Sequence, residues 1–389
     1  MVNLWFTEKD VKYRWAQVKD SFWEELEAWS KVSAKELLQA ALQAELRQAI
    51  RAGRYERTGQ RRDYRNGSYS REVVCKLGVL SGVSVPRSRL GAYRREVLER
   101  YRRFGGDFDR YVLRLFTLGL STRRVEEFFV SLFGPCGLGA QTVSAIISRV
   151  QGELARYRTR PLSDAVRYLY LDGIRVVIRS AFRQPYVVLC ALAEYTDGRR
   201  ELVSFRVATS EKTVHWQAFL DDLYRRGLIG EHLELIIVDG AAGLLEAVQT
   251  VYGQVPVQVC WVHKQRNLVS RLRCQSHRRA ICADVTAIFH APSKAQAITR
   301  LHRFEATWRS REPAAVRIFL ASIDQSLTFY QQPRESWVQL ASTNLIERQL
   351  RELRRRINLI DSFRDEKSCE TILFTQITRL NEKLNTKKK

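Results

Sequence analysis

Two aspartates occupy positions where an acid needs a reason. Asp172 closes the apolar run Tyr168-Leu169-Tyr170-Leu171 and precedes Gly173; Asp239 closes Leu235-Ile236-Ile237-Val238 and precedes Gly240. Each run reads as a short buried strand, and each acid as its tip. The glycine after each lets a partner approach the backbone. Neighbouring strands would set the two carboxylates side by side, where each raises the other's pKa unless a cation sits between them. Mg²⁺ suits such a pair, because it takes hard oxygen ligands from one or two carboxylates plus substrate phosphates. A third acid is expected at Glu347, within Ser342-Thr343-Asn344-Leu345-Ile346-Glu347-Arg348-Gln349-Leu350-Arg351. That segment reads as a helix capped by Ser342 or Thr343, with Asn344, Glu347 and Arg351 on one face and Arg354 a further i+7 step from Glu347. Singly, each acid is most simply a turn or cap residue. The ordered trio instead points to two metal ions, one activating an attacking oxygen and one stabilising the leaving oxygen of an in-line displacement.

The charge balance names the substrate class. The 389 residues carry 65 Lys+Arg against 42 Asp+Glu, a net of +23. Between Arg47 and Arg103 the count is 16 basic to 5 acidic residues. Such a surplus calls for a polyanion, and nucleic acid is the commonest one in cells. Arg54, Arg57, Arg61, Arg62, Arg65, Arg87 and Arg89 are the candidate DNA contacts of this stretch, with Arg266, Arg351, Arg354 and Arg355 nearer the acids. A composition that is 45% apolar excludes disorder along the whole length. No run is apolar enough to span a membrane. Seven cysteines at irregular spacing, and a start too charged for a signal peptide, predict a reduced, cytoplasmic protein.

The elements that must position these residues follow from periodicity. Residues 1–50 read as a helical region, with Trp5, Trp15, Trp23 and Trp29 as core and Ser33–Glu36 as a capping box opening a new helix. Residues 51–106 read as a basic, β-bearing DNA-binding module with a turn at Asn66-Gly67 and strands near Val73–Leu77 and Val83–Val85. Residues 107–165 read as a helical region similar to a helix-turn-helix, capped at Ser121, whose helix near Ala140–Val150 would enter a major groove. Residues 166–265 give strands broken by turns at Asp172-Gly173 and Asp197-Gly198, then helix, strand, helix, strand: an α/β layer with a mixed sheet. Residues 266–338 are helical throughout, and 339–389 carry two more helices and a basic tail.

Taken together, these residues resemble the mutator-type transposases of bacterial insertion sequences. The likeness runs through Arg54-Tyr55-Glu56-Arg57, Tyr64-Arg65-Asn66-Gly67, Val85-Pro86-Arg87-Ser88-Arg89 and Leu118-Gly119-Leu120-Ser121-Thr122-Arg123. It continues through Asp172-Gly173, Asp197-Gly198, Trp216, Val238-Asp239-Gly240, Gly243-Leu244, Gln258-Val259-Cys260-Trp261-Val262-His263, Arg266-Asn267 and Thr343-Asn344-Leu345-Ile346-Glu347. The resemblance implies an RNase H-like mixed-sheet core with a DDE triad, interrupted by an all-helical insertion, with Asp172, Asp239 and Glu347 as the catalytic, metal-holding acids. It further implies two Mg²⁺ ions (Mn²⁺ as substitute), cleavage and strand transfer at terminal inverted repeats in double-stranded DNA, and a homodimer or higher oligomer on that DNA. Arg364 stands where the family often has proline, and the tryptophan-rich first 50 residues differ from the family's pattern.

Cys260 and His263, with Asn344, are expected to support the acids, His263 by orienting a phosphate or a carboxylate. The alternative is a zinc clip, since Cys260, His263, Cys274 and His277 form C-x2-H-x10-C-x2-H. Two other functions compete with transposition: a DNA-binding repressor that needs the basic modules but not the acids, and a Mg²⁺-dependent nuclease acting on branched DNA.

Overall fold

A computed structural model describes residues 21–75, 77–94, 96–98, 108–118, 120–133, 139–179, 184–358, 360 and 362–386. The chain divides into two compact units, one of residues 1–116 and 120–147, the other of residues 117–119 and 148–389.

The first unit opens with helix α1 (Phe22–Ile50). The helix runs through Ser33 without a break, so the capping box expected there does not form. Its side chains suit helix interior, and nothing between Phe22 and Ile50 breaks it. Trp23 is 77% exposed and Trp29 42%, so neither is core; Trp5 and Trp15 lie outside the described residues. The far end is buried at Leu42, Leu46 and Ile50. Strands β1 (Arg65–Cys75) and β2 (Gly78–Ser88) form an antiparallel ribbon. Asn66-Gly67, expected to make the turn, lies inside β1 at a register shift between Arg65 and Ser68, with Gly67 at φ 65°. The extra residue forms a bulge, which uses the same glycine freedom as a turn. Leu42 packs with Val73, Leu80, Val83 and Val85 of the ribbon. Helices α2 (Phe108–Thr117), α3 (Thr122–Phe133) and α4 (Ala140–Thr159) follow, α3 capped by the Ser121 hydroxyl at 3.3 Å from Arg124 N. Val112, Val125, Phe129, Val143 and Ile146 make their core.

The second unit is built on a sheet of order β5-β4-β3-β6-β7. Its elements are β3 (Val166–Ile178), β4 (Gln184–Tyr195), β5 (Arg200–Ala208), α5 (Thr213–Arg225), β6 (Leu235–Val238), α6 (Ala242–Tyr252) and β7 (Val257–Val259). β3, β4 and β5 pair antiparallel; β6 joins β3, and β7 joins β6, in parallel. One face is covered by α5 and α6, through Trp216, Phe219, Leu223, Leu244 and Val248 packed on Leu169, Leu171 and Ile236.

Helices α7 (Trp261–Val269), α8 (Arg278–Phe289), α9 (Lys294–Trp308) and α10 (Pro313–Leu320), with short 3₁₀ turns, form the helical stretch expected over 266–338. It is fastened to β7 by Gln258, a fully buried amide that donates to Ser326 O at 3.0 Å and accepts from Phe329 N at 2.8 Å. The short α11 (Trp337–Leu340) leads to α12 (Asn344–Ile357), which packs on β3, and α13 (Glu366–Thr386), which packs on β5. No helix among the described residues is long and apolar enough to cross a membrane.

Candidate active site

Asp172 is not at a strand tip. β3 runs straight through Asp172-Gly173, and the turn expected there is absent, because Asp172 and Gly173 pair with Cys190 and Leu189 of β4. What ends is the other side of β3: its parallel pairing with β6 covers only Tyr168↔Leu235, Leu169↔Ile236 and Tyr170↔Ile237. Two residues on, that register sets Asp172 level with Asp239, where β6 has stopped. Neighbouring strands lie roughly 5 Å apart, so the two acids meet at the open end of the β3–β6 seam. Alternation puts Asp172 on the face of Tyr168 and Tyr170, opposite the Leu169 and Leu171 face buried by α5 and α6. That is the face on which α12 lies.

α12 brings the third acid. Glu347 sits in its first turn, and its carboxylate accepts the Thr343 hydroxyl at 2.7 Å. Thr343 occupies the N-cap position, yet its hydroxyl serves Glu347 rather than a backbone N–H. His263 Nδ1 stands 3.7 Å from Glu347 Oε1 and 3.4 Å from the Thr343 hydroxyl. Arg266 reaches the same carboxylate at 3.8 Å and His263 Nε2 at 3.3 Å. Both come from α7, which starts directly after Cys260 at the end of β7. Cys260 is fully buried, with its thiol against His263 and Thr343. Asn344 is exposed; its backbone N–H donates to the Ser342 hydroxyl at 3.4 Å, and its side-chain amide makes no hydrogen bond among the described residues. Arg351, Arg354 and Arg355 are exposed along α12.

The electrostatics follow from this crowding. Burial pushes the Asp172 carboxyl up to about 7, and the charges of Asp239 and Glu347 add to the push. The Gly173 N–H, donated at 2.8 Å, and the His263 charge only partly oppose it. Asp239 takes one backbone bond, from Ala241 N at 2.9 Å. Hydrogen bonding to Cys260 raises the His263 pKa, burial opposes this, and the charges of Cys260, Glu347 and Asp239 add to the rise. Burial alone would raise the Cys260 thiol, but the bonds from His263 and Thr343 outweigh it and hold it below its ordinary value. The donors of Asp172, Asp239 and Glu347 are all carboxylate oxygens, the set that fits Mg²⁺. The ligand atoms of Cys260, His263 and Glu347 lie within 4.8 Å of one another, a sulfur, nitrogen and oxygen set of softer character.

The four-residue zinc clip does not assemble. His277 Nδ1 bonds instead to Glu312 at 2.8 Å, a buried carboxylate that also accepts from Arg273 N and Cys274 N. Cys274 is exposed and pairs with the Ser276 hydroxyl. This is a loop brace, and its regular spacing in sequence is incidental.

Sequence reasoning missed Glu211, in the loop between β5 and α5. Its carboxylate lies against Gly173 and within the field of Asp239; burial first, then Asp239, raises its pKa. No motif marks it, since its neighbours are distant in the chain. The Thr343 hydroxyl on Glu347 could have been found, because a threonine four residues before an acid at a helix start is a visible pattern.

In the first unit, the candidate DNA contacts lie on the loop before β1 and along the ribbon. Arg54, Arg57, Arg62, Arg87 and Arg89 are exposed. Arg54, Arg61 and Arg87 stack over Tyr55, Tyr64 and Tyr69 at 5.3, 5.4 and 4.5 Å from the ring centres. Arg65 donates to Gln43 at 2.8 Å, and Arg61 to the Glu56 carbonyl. Asp63 beneath them is buried and accepts Tyr64 N, Leu90 N and Ala92 N, which fixes the loop to the end of β2.

Comparison with known proteins adds an independent line. The family described as "Transposase, Mutator family" matches residues 7–386. The transposase for insertion sequence element ISRM5 of Rhizobium meliloti (strain 1021) is 32% identical over 334 residues, covering 86% of this chain and 83% of its own. The transposase for insertion sequence element IS406 of Burkholderia multivorans (strain ATCC 17616 / 249) is 33% identical over 336 residues, 86% of each chain. The transposase for insertion sequence element IS256 in transposon Tn4001 of Staphylococcus aureus is 29% identical, covering 86% of this chain and 85% of its own.

Proposed function

The chain belongs to the Mutator family of transposases, and on that premise we propose that it is a DDE transposase of an insertion sequence. It binds the terminal inverted repeats of its element in double-stranded DNA, as a homodimer or higher oligomer, and carries out cleavage and strand transfer there. The mixed sheet with helices on both faces is read as an RNase H-like core, and the helices from α7 to α10 as its insertion. The observation that carries this reading is the convergence of Asp172, Asp239 and Glu347, from β3, β6 and α12, into one electrostatic cluster. Two Mg²⁺ ions held by these acids, or Mn²⁺ in their place, would activate the attacking oxygen and stabilise the leaving one.

The chain's own residues prepare that chemistry. Thr343 holds the Glu347 carboxylate by a hydrogen bond, and His263 and Arg266 stand beside it, so three groups restrain its orientation. The Arg351, Arg354 and Arg355 guanidiniums beside it offer charge-assisted bonds to the phosphates of DNA laid along α12. Water attacks the phosphodiester at the element end and the bond from phosphorus to the 3′ oxygen breaks, leaving a 3′-OH on the element and a 5′-phosphate on the flanking DNA; that 3′-OH then attacks a phosphodiester of target DNA and displaces the target's own 3′ oxygen. In the first unit, the stacked arginines and tyrosines contact the backbone of the element ends, a salt-sensitive and sequence-tolerant contribution. The test is Asp172→Asn: strand transfer of labelled element ends is abolished while their binding in a mobility shift persists. Retained strand transfer in this variant refutes the assignment.

A further inference from the structure

We propose that Cys260, His263 and Glu347 together bind a single soft divalent cation of the zinc type, and that this cation, once bound, withdraws Glu347 from the Mg²⁺ pair. The binding stands on its own geometry; the effect on Mg²⁺ rests on the role proposed above for Glu347.

Three observations carry it. First, the ligand atoms are already gathered. One atom each from Cys260, His263 and Glu347 lie within 4.8 Å of one another, and His263 Nδ1 is 3.7 Å from Glu347 Oε1. Bonds of about 2.0–2.3 Å at the tetrahedral angle set ligand atoms roughly 3.3–3.7 Å apart, so shifts of about 1 Å close the site. Three protein ligands leave the fourth position to water, the pattern of an open zinc site. Second, the backbone fixes the gathering. Cys260 occupies the N-cap position of α7 and His263 its first turn, while Thr343 occupies the N-cap position of α12 and Glu347 its first turn. Trp261 N donates to Ala341 O at 3.3 Å, which ties the two helix starts together, and Cys260 N donates to Val238 O at 2.8 Å, which ties α7 to the end of β6. The Thr343 hydroxyl, bonded to Glu347 and set against His263 and Cys260, is the outer group that orients the three ligands. Third, the buried atom at position 260 is sulfur. A serine hydroxyl there would hydrogen-bond to His263 and Thr343 as well or better, so those bonds do not call for a thiol. Affinity for a soft cation does, and thiolate with imidazole suits zinc where carboxylates alone suit Mg²⁺. Arg266 is the rival cation: its guanidinium stands 3.8 Å from Glu347, is 60% exposed, and would turn to solvent when a metal takes that oxygen.

The experiment uses the full chain, stripped by chelator and kept reduced, with Co²⁺ as the probe, because a thiolate ligand gives Co²⁺ a near-ultraviolet charge-transfer band that carboxylate and imidazole alone do not. The wild type is expected to take up a single equivalent of Co²⁺ with this band, and Zn²⁺ to displace it. Cys260→Ser is expected to lack the band and Cys274→Ser to keep it. No band in the wild type, a band that survives Cys260→Ser, or one lost in Cys274→Ser overturns the proposal. Should Cys260→Ser fail to fold, His263→Gln is read in its place: Co²⁺ affinity weakened at least about tenfold supports the site, and wild-type affinity overturns it. Mn²⁺ binding, followed by electron paramagnetic resonance of the free ion, tests the effect on the acids. A single equivalent of Zn²⁺ is expected to weaken it at least about tenfold in the wild type and not in Cys260→Ser. Equal Mn²⁺ binding with and without Zn²⁺ in the wild type overturns the withdrawal of Glu347. The two readings fail separately. A chain that shows the band but binds no Mn²⁺ keeps the soft site, while the metal-holding reading of the three acids falls and the withdrawal with it. A chain that binds Mn²⁺ without the band loses only the soft site.

Discussion

The cluster of Asp172, Asp239 and Glu347 should destabilise the chain when no cation is bound, and Asp172→Asn should expose this. The Asp172 carboxyl is pushed from 3.8 up to about 7 by burial and by Asp239 and Glu347. A carboxyl whose folded pKa lies above its unfolded value binds its proton more tightly in the folded chain. Stability is therefore full at pH below the ordinary carboxylate range and is lost as pH rises towards 7. The gap is about three pH units at about 1.4 kcal/mol each, or roughly 4 kcal/mol. Asparagine keeps the Gly173 N–H bond through its amide oxygen and carries no charge. In chelator at about pH 8, Asp172→Asn should therefore melt higher than the wild type, by roughly 10 °C for a unit of this size. The difference should shrink steadily as pH falls and vanish below about pH 3, where Asp172 is protonated in both states. Saturating Mg²⁺ should reverse the order, since only the wild type keeps its full ligand set. The assay is thermal melting by circular dichroism across this pH range, with and without Mg²⁺. A variant that melts at or below the wild type in chelator at the higher pH would refute the argument that these acids are crowded and desolvated together.

Two further outcomes test the frame around the site. Gly243→Ala should destabilise the chain by about 1–3 kcal/mol in denaturant melts, because the new methyl meets backbone atoms 2.9 and 3.0 Å away, outweighing the roughly 1 kcal/mol that alanine gains over glycine in a helix. Cys274→Ser should leave the zinc content per chain, measured by elemental mass spectrometry, unchanged from the wild type; a stoichiometric loss of zinc would mean that the Glu312 brace is not what holds this loop.

The acids proposed to hold metal stood out in the chain because their signals are local. An acid after an apolar β-branched run and a Thr-Asn-x-x-Glu at a helix start each sit within a few residues; Asp239 does follow the end of β6 and Glu347 does lie in the first turn of α12, whereas β3 continues past Asp172. The helical and strand character of most segments followed from periodicity for the same reason. What depended on neighbours was hidden. Glycine marked both Asn66-Gly67 and Asp172-Gly173 as turns; one is a bulge and the other is uninterrupted strand, because the partner strand decides what a glycine does. The tryptophans of α1 looked like core from composition, whereas the helix packs on the ribbon from Ala34 onward, beyond Trp23 and Trp29. C-x2-H-x10-C-x2-H left a metal clip open as the alternative reading, and local spacing had no way to show that Glu312, 35 residues beyond His277, bonds to it. The sequence by itself determined which groups could bind cations and phosphates. Only the tertiary structure decided which of them meet: the parallel register of β3 on β6 levels Asp172 with Asp239, and α12 crossing β3 delivers Glu347. Each of these depends on contacts between segments far apart in the chain, which no local spacing encodes.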